Sequence, residues 1–407
     1  MKKLLFAAIA LFVVVLICNI NPTYSAVQYK NTDIRNKKST QEEIKVALLL
    51  PLFYENIDEL SFNEYNIDER RGKNYKCFSY ISFYEGARIA LDNLEKQGYK
   101  VSLYVFDVGE NDEKKMPPAL NYEPMKDMDL IISLVFRQNF ALVSSFCTIH
   151  KIPLVNPMSQ DESILNNPYV FKLQPSTYDV YSSLLKYIRT KHSQDRIIVI
   201  YDDKFVAANV IDFWKEELPK VSDKWTILNY RKSAVKLKNY ISKNDTNFVI
   251  NLTDKPAKNE NKSYAQELLN TLRQTKCNIE LFASYDWLDF VGNDYKTLQD
   301  MNLHFPLTYY NDYTNVNFTD FVELYRDNFK GEPDKIYASL GFDIINYFIP
   351  SLKKNGKDFI LNPVSPNQQK MISRYKFVRK DTEKGWQNTN TTIYKLENYK
   401  IKSCWSF

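Results

Sequence analysis

Continuous apolar runs alternate along the chain with stretches in which apolar residues recur every three or four positions. Residues 45–52 form an apolar run that a proline ends, as in a strand buried on both faces of a parallel sheet. Apolar residues over 83–94 have helical spacing, and Gly98 follows them. The next segments predict strands at 101–106, 130–135 and 152–155, and a helix at 139–150. This alternation predicts a doubly wound α/β lobe.

The same alternation starts again after residue 172. It predicts helices at 180–191, 206–218 and 264–272, and strands at 196–201, 225–230, 248–252 and 279–283. Two later helices, 318–329 and 336–352, follow a second lobe that is already complete, so we expect them to pack on the first lobe. Residues 374–401 alternate apolar and polar positions and predict a terminal hairpin around Gly385.

Residues 1–26 have the regions of a Sec signal peptide. Two lysines precede an apolar run over 4–17, and the small residues Ser25 and Ala26 come near the expected cleavage site. The apolar run is shorter than a membrane span needs. We therefore expect a periplasmic protein with a flexible polar lead-in over 27–43. Lipid attachment at Cys18 is the alternative, but Ile17 stands where a small residue should precede a lipidated cysteine.

Composition excludes several classes of function. The 407 residues are 44% hydrophobic, enough for two domains with their own cores, and 54 basic residues are interleaved with 49 acidic ones. That mixed charge indicates a solvated surface and no nucleic-acid partner. The three histidines stand in no metal motif, and neither a nucleophile elbow nor a glycine-rich phosphate loop occurs. We expect no catalysis, no cofactor and no metal.

Four cysteines follow the predicted leader at irregular spacing. Cys147 lies on an apolar helical stretch and is expected to be buried as a small hydrophobic residue. Pairing of Cys77 with Cys404, or of either with Cys277, stays open because an oxidising periplasm permits disulfides.

Four segments together resemble the type I periplasmic-binding-protein superfamily, the receptor ligand-binding fold of branched-chain amino-acid-binding proteins. KVALLLPL (45–52) resembles the opening strand of that fold, and FYEGARIA (83–90) resembles its first helix. Residues 129–159 are similar to the central strand, loop, helix and "IPLISP" strand, and YVFKLQPS (169–176) to the first crossover. The resemblance implies two doubly wound parallel-sheet lobes joined by three crossovers, with later crossovers near 304–308 and 361–366.

This resemblance also implies the domain boundaries. The first lobe would contain residues 44–172 and 305–363. The second would contain residues 173–304 and 364–407.

In amino-acid-binding members, loops after two strands of the first lobe hold the ligand carboxylate. The first loop falls here on Phe136, Arg137 and Gln138 in place of a small hydroxyl residue, and an arginine can hold a carboxylate by paired hydrogen bonds. The second loop falls on Ser159 and Gln160. The same glycine-poor first loop is also compatible with a filled cleft.

The second lobe would supply the partner for a ligand ammonium group. The resemblance places that acid at Asp286, or a tyrosine at Tyr285 if the alignment slips by one residue. Asp202 follows another strand at the edge where ligands of open α/β sheets bind, although an Asp-Asp pair there is also typical of a turn or cap. Tyr178 and Phe205 are candidates for an aromatic wall.

Two functions fit these expectations. The first is a non-catalytic receptor whose lobes close in a cleft on a small polar solute such as an amino acid, for uptake with an ABC-type membrane permease. The alternative is an envelope interaction protein that regulates a cell-wall synthase, similar to the activators of penicillin-binding proteins. The atypical loop at Arg137 favours the alternative, and the strands that frame a cleft favour the receptor.

Overall fold

The computed structural model describes residues 27–29, 43–53, 76–109, 114–230, 237–253, 258–290, 295–334, 336–366 and 368–406. The predicted signal peptide, with Cys18, lies outside the described residues, as does most of the predicted lead-in. At the start of that lead-in, Val27–Tyr29 (β1) forms a strand where a flexible segment was expected, because it pairs antiparallel with Val101–Asp107 (β3). Within the described ranges, no helix is both long enough and apolar enough to cross a membrane.

The chain divides into two compact α/β units, each with a largely parallel sheet, as the predicted fold class requires. Unit 1 comprises Met1–Gln174 and Tyr309–Asn388, and unit 2 comprises Pro175–Thr308 and Thr389–Phe407. The chain thus passes between the units three times. The third passage follows Asn388 instead of lying near 361–366. Residues 364–388 therefore belong to unit 1, whereas the sequence assigned them to the second lobe.

Unit 1 contains an eight-stranded sheet in the order β1-β3-β2-β4-β5-β6-β13-β12. Its strands from β3 to β13 run parallel, and the outermost strand at each edge is antiparallel to its neighbour. The remaining strands are β2 (Ile44–Leu50), β4 (Leu130–Ser133), β5 (Leu154–Asn156), β6 (Val170–Lys172), β12 (Phe377–Val378) and β13 (Trp386–Asn388). The α-helices of this unit are α1 (Lys76–Lys96), α2 (Met116–Leu120), α3 (Arg137–His150), α10 (Val316–Phe329) and α11 (Tyr337–Asn355). Its 3-10 helices are Glu123–Asp127, Glu162–Asn166, Gly356–Leu361 and Gln368–Lys370.

The two late helices pack on unit 1, as the sequence predicts. Helices α1 and α11 approach so closely that a Cβ atom at Gly86 would collide with the carbonyl of Ala338, and one at Gly341 with the carbonyl of Phe83. Glycine at these two positions therefore permits the backbone contact. Together with α10, they cover one face of the sheet in a core of aromatic and aliphatic side chains.

Unit 2 contains a seven-stranded sheet in the order β15-β14-β11-β10-β9-β7-β8, parallel except where β14 meets β11 and β15. Its strands are β7 (Arg196–Tyr201), β8 (Trp225–Asn229), β9 (Asn247–Asn251), β10 (Ile279–Phe282), β11 (His304–Leu307), β14 (Thr392–Glu397) and β15 (Lys400–Trp405). Its α-helices are α4 (Thr177–Lys191), α5 (Ala208–Glu217), α6 (Leu237–Tyr240), α7 (Lys258–Thr275), α8 (Trp287–Phe290) and α9 (Tyr295–Asp300), with a 3-10 helix at Leu218–Lys220.

The C-terminal tail differs from the single hairpin that its alternating pattern predicts. Strands β12 and β13 pair antiparallel in unit 1, whereas β14 and β15 form a hairpin in unit 2. Strand β13 also pairs parallel with β6, which draws the first half of the tail into the unit 1 sheet. The tail therefore contributes to both sheets.

The three passages between the units are tied to one another on the unit 1 side. The Asn388 side chain donates to the carbonyl of Leu173 at 2.9 Å, and the Gln387 side chain donates to the carbonyl of Gln174 at 2.8 Å. The Tyr309 hydroxyl reaches the Leu173 carbonyl at 3.4 Å. These bonds hold the unit 1 ends of the three connecting segments next to one another.

The positions of the cysteines confirm the predicted burial of Cys147 and decide between the disulfide pairings that the sequence left open. Cys147 is fully buried, as predicted, and burial raises the pKa of its thiol. Cys277 and Cys404 are free thiols. None of the disulfide pairings left open by the sequence is therefore formed in this structure.

Candidate functional site

The predicted carboxylate-binding loops of unit 1 follow the adjacent strands β4 and β5, and two buried asparagines tie them to neighbouring loops. The Asn139 side chain donates to the carbonyl of Gly109, beyond β3, at 2.7 Å. The Asn156 side chain donates to the carbonyl of Val135 at 3.3 Å and accepts from the amide of Ser159 at 2.8 Å. Three loops at one edge of the sheet are thereby connected through buried side-chain amides.

Arg137 is the first residue of α3 and is exposed. Its backbone has φ 50°, a left-handed conformation that an arginine rarely adopts. With Phe136, Gln138 and Asn139 it lines a pocket of about 360 Å³. Strained backbone of this kind clusters at ligand-binding positions, where the surrounding structure holds it in place.

Ser159 and Gln160 begin the loop after β5. Ser159 is largely buried, and its hydroxyl accepts from the amide of Asp161 at 3.1 Å, so it serves the local turn. Gln160 is exposed. The Gln160 amide is therefore open to solvent, whereas the Ser159 hydroxyl is not.

In unit 2, Asp202 lies at the end of β7 and is fully buried. Its carboxylate accepts from the amide of Lys204 at 2.9 Å, and its own amide donates to the hydroxyl of Thr253, beyond β9, at 3.0 Å. Thr253 is held in turn by Asn251, whose side chain donates to the Thr253 carbonyl at 3.2 Å. Asp202 therefore helps to hold the loop after β7 in place.

Tyr178 and Phe205, the predicted aromatic wall, are both partly exposed. The Tyr178 hydroxyl accepts from the side chain of Asn209 at 2.8 Å, and its ring contacts Phe213 edge-on at 5.3 Å. Lys204 lies over the ring of Phe205 at 5.0 Å. Tyr178 is therefore held by α5, while Phe205 belongs to the turn that Asp202 fastens.

Tyr285 and Asp286 follow β10 in the turn before α8. Tyr285 is 38% exposed, its ring lies 5.4 Å from Phe305, and burial, followed by nearby Asp289, raises the pKa of its hydroxyl. The side chain of Asp286 is exposed. Strand β9 stands between β7 and β10, so Asp286 and Asp202 end non-adjacent strands at one edge of this sheet.

Sequence reasoning did not single out Asn139, Asn156, Asn251 or Thr253. Asn156 is the last residue of β5 and Asn251 the last residue of β9, so each stands at the carboxyl end of a strand. A polar residue at the end of an otherwise apolar run is the signal that could have identified them.

Neither a protein-family model nor a curated protein matches this chain. Solved structures do. A candidate branched-chain amino acid ABC transporter protein from Rhodospirillum rubrum has a TM-score of 0.59 at 11% identity, over 89% of this chain and 99% of that one. An ABC transporter substrate-binding protein from Desulfitobacterium hafniense, in complex with Leu, has a TM-score of 0.50 at 15% identity, over 89% of this chain and 100% of that one.

A substrate-binding protein of an ABC transporter from Sphaerobacter thermophilus gives a TM-score of 0.51 at 13% identity, covering 89% of this chain and 96% of that one. At such identities the likeness concerns the fold. The order of elements, the two sheets and the three passages agree with it. The chain therefore has the periplasmic binding protein type I fold, as its sequence resemblance predicted.

Proposed function

We propose that this protein is a non-catalytic receptor for a small polar solute that carries a carboxylate, such as an amino acid or a related metabolite. The observation that carries the proposal is the exposed Arg137 in left-handed backbone, beside a pocket of about 360 Å³ at the end of β4. The sequence resemblance assigns the carboxylate-binding loop of the amino-acid-binding members to this position.

The chemistry around Arg137 suits an anionic group. No side chain caps the amino terminus of α3 and its first turn contains no acidic residue, so the positive end of the helix dipole is not offset there. A guanidinium at that point can make two parallel hydrogen bonds to one carboxylate. The buried Asn139 and Asn156 hold the surrounding loops in place, which lowers the cost of ordering them when a ligand binds.

The structural neighbours favour an amino acid among possible solutes. Leu is the ligand of the Desulfitobacterium hafniense protein, and the neighbours are substrate-binding proteins of ABC transporters. By analogy we assign this chain a periplasmic location and an ABC permease as partner. Asp286, with Tyr285 beside it, is the proposed partner of the ligand ammonium group, because its exposed side chain follows β10.

One observation favours the envelope-interaction alternative. Phe136, Arg137 and Gln138 replace the small hydroxyl-bearing residues that amino-acid-binding members carry after the central strand, and both Arg137 and Gln138 are exposed. A basic, bulky loop of this kind also suits contact with a protein such as a cell-wall synthase.

The first test is a thermal-shift screen of protein that starts at Val27, against amino acids, small peptides, sugars and cell-wall fragments. A ligand at a hundred times its dissociation constant stabilises the folded state by about 2.7 kcal/mol, a shift of several degrees. A hydrogen bond to a charged group contributes about 1.5–3 kcal/mol. Arg137→Ala should therefore weaken solute binding by roughly 10- to 100-fold. Arg273→Ala, an exposed arginine near the end of α7, is the matched control.

A shift from one ligand class that Arg137→Ala reduces and Arg273→Ala keeps supports the receptor. Binding that survives Arg137→Ala unchanged contradicts the proposed site. If no small molecule in the screen shifts the midpoint, the receptor proposal fails. The interaction with a cell-wall synthase then becomes the function to test, by pull-down with wild-type and Arg137→Ala protein.

A further inference from the structure

The positive charge of the chain is concentrated in one segment of unit 1. Residues 353–384 contain nine basic and three acidic residues, whereas the whole chain has a formal charge of only +5. The rest of the chain is therefore slightly acidic. A folded domain that gathers one sign of charge in this way presents a surface that attracts the opposite sign. The segment takes no part in the proposed solute site.

Part of this charge has a local explanation. Lys353 and Lys354 lie in the last turn of α11, where cations offset the negative end of the helix dipole. The ammonium group of Lys384 lies 2.8 Å from the side-chain oxygen of Asn166. Residues 370–380 are different, because they contain five basic residues and no acidic one.

Buried residues hold the segment 370–380 against α11, so that its charged residues face outwards. Met371 and Tyr375 are buried, and the ring of Tyr375 lies 5.4 Å from the ring of Tyr347 on α11. The ring of Phe377 lies 5.4 Å from the same tyrosine. The basic residues beside these anchors are exposed, namely Lys370, Arg374, Lys376 and Lys380.

Strand β12 brings an exposed aliphatic side chain between two of these lysines. Val378 is 47% exposed, and Lys376 and Lys380 on either side of it are exposed as well. Arg379 is turned the other way, and its guanidinium carbon lies 4.7 Å from the centre of the Trp386 ring. Strand β12 ends the sheet order of unit 1, so among the described residues no strand pairs with its outer edge.

Two more exposed aliphatic side chains stand in the loop beside β12. Leu361 is 65% exposed and Val364 is 58% exposed. The Trp386 ring nitrogen donates to the carbonyl of Ile360 at 2.9 Å, and the same ring packs against Arg379. The loop and β12 therefore meet at Trp386, and their exposed side chains belong to one continuous surface.

Protection of the sheet edge explains only part of this surface. Lysines beside an edge strand discourage its pairing with another chain, and this role accounts for Lys376 and Lys380. It does not account for Arg374, or for the exposed Leu361 and Val364 in the neighbouring loop. Cations around exposed aliphatic side chains suit the boundary between the anionic headgroups and the acyl chains of a bilayer.

The basic edge of unit 1 consists of Arg374, Lys376 and Lys380 together with Leu361, Val364 and Val378. We propose that the basic edge docks on the surface of an anionic phospholipid membrane. The cations contact the lipid phosphates, and the aliphatic side chains enter the headgroup region. A polyanion in solution would use the cations alone. The basic edge lies four strands from β4 in the sheet, so it is separate from the proposed solute loop at Arg137.

The test uses the chain from Val27, because the apolar run of the predicted leader would itself bind lipid. Binding is measured by flotation with vesicles of phosphatidylglycerol and phosphatidylcholine in equal parts, and with vesicles of phosphatidylcholine alone. We expect the chain to float with the anionic vesicles only. Raising the salt from about 0.1 M to about 1 M shortens the Debye length from about 10 Å to about 3 Å, so it should release most of the bound protein.

Substitutions within the basic edge should weaken binding to the anionic vesicles. A lysine near such a surface raises affinity by about fivefold, so the double variant Lys376→Gln, Lys380→Gln should lose roughly 10- to 30-fold. Leu361→Ser should lose about fivefold. The matched control, Lys215→Gln with Lys220→Gln, removes the same net charge from exposed lysines of unit 2 that lie beside acids, and it should bind like wild type.

Three results overturn the proposal. The first is no flotation with anionic vesicles, and the second is an equal loss of binding in the control variant. The third is binding that soluble polyphosphate abolishes and Leu361→Ser leaves unchanged, since the surface then recognises a polyanion in solution. All the substituted side chains are exposed, and an unchanged midpoint of thermal unfolding shows that each variant is folded. The solute screen above is independent of these results, so the two proposals fail separately.

Discussion

In unit 1, the loops at the strand ends are tied by the neutral side chains of Asn139 and Asn156, and the exposed groups include the cation Arg137. In unit 2, the corresponding fastening uses a buried carboxylate, Asp202, together with Thr253, and the exposed groups include the anion Asp286. In both units some polar side chains at strand ends hold loops in place and others face solvent, but the charges in these two roles differ between the units. A polar residue at a strand end either fastens the loop or faces solvent, and only the three-dimensional structure tells which.

The largest effect is expected from a buried acid of unit 1. Both carboxylate oxygens of Asp343, on α11, accept backbone amides at 2.8 Å, from Ile372 and Ser373. Asp343→Ala removes a fully buried side chain and leaves two partly buried amides without an acceptor, so it should cost about 3–5 kcal/mol of unfolding free energy, measured by urea denaturation. Asp320→Ala, an exposed acid on α10, should change it by less than about 0.5 kcal/mol. A similar loss for both variants would contradict a fastening role for Asp343.

The same residue gives unit 1 a pH dependence. Burial raises the pKa of the Asp343 carboxyl from 3.8 to about 8. The folded chain therefore binds a proton that the unfolded chain has lost between pH 4 and pH 8, so the stability that Asp343 contributes falls as pH rises through this window. The difference in unfolding free energy between wild type and Asp343→Ala should accordingly narrow from pH 5 to pH 8. A difference that widens would contradict the raised pKa.

Asn156 is the next test of the comparison. Asn156→Ala removes the donor to Val135 and the acceptor of two amides, those of Met158 and Ser159, and should cost about 2–3 kcal/mol. It should also weaken solute binding, because the loop that carries Ser159 and Gln160 loses its fixed position. Asn328→Ala, which removes one exposed hydrogen bond on α10, is the control and should be nearly neutral. Solute affinity equal to wild type in Asn156→Ala would show that this fastening is irrelevant to the site.

Much of the fold was predictable because continuous apolar runs identify buried parallel strands. Residues 196–201 were predicted as a strand and form β7 with the same bounds. The third passage was misplaced because β12 and β13 contain only two and three residues. The place of β13 beside β6 depends on pairing with residues more than 200 positions earlier in the chain, which no local pattern reveals.

The candidate site was predictable to a lesser degree. Topology placed Arg137, Asp202 and Asp286 at strand ends, where the structure has them. Sequence could not separate the buried Asp202 from the exposed Asp286, since both are aspartates after an apolar strand.

Substitutions of Asp202 and Asp286 test directly whether the buried aspartate stabilises the fold and the exposed one binds the solute. Asp202→Ala removes the acceptor of the Lys204 amide in a fully buried turn and should cost about 2 kcal/mol. Asp286→Ala should leave stability within about 0.5 kcal/mol of wild type but weaken the binding of an amino acid. Urea denaturation and ligand titration of both variants check this. Loss of stability in Asp286→Ala, or a neutral Asp202→Ala, would reverse the assignments.

The smallest effect is expected at the two ends of α3, where Arg137 and Lys151 both have left-handed backbone, with φ 50° and 53°. Glycine adopts that conformation without strain, so Arg137→Gly and Lys151→Gly should each raise the unfolding free energy by about 1 kcal/mol. Only Arg137→Gly should reduce the thermal shift caused by the solute. This outcome would show that the chain keeps a strained arginine for its guanidinium group. Full solute binding in Arg137→Gly would mean that unit 1 holds its ligand, if any, through other groups.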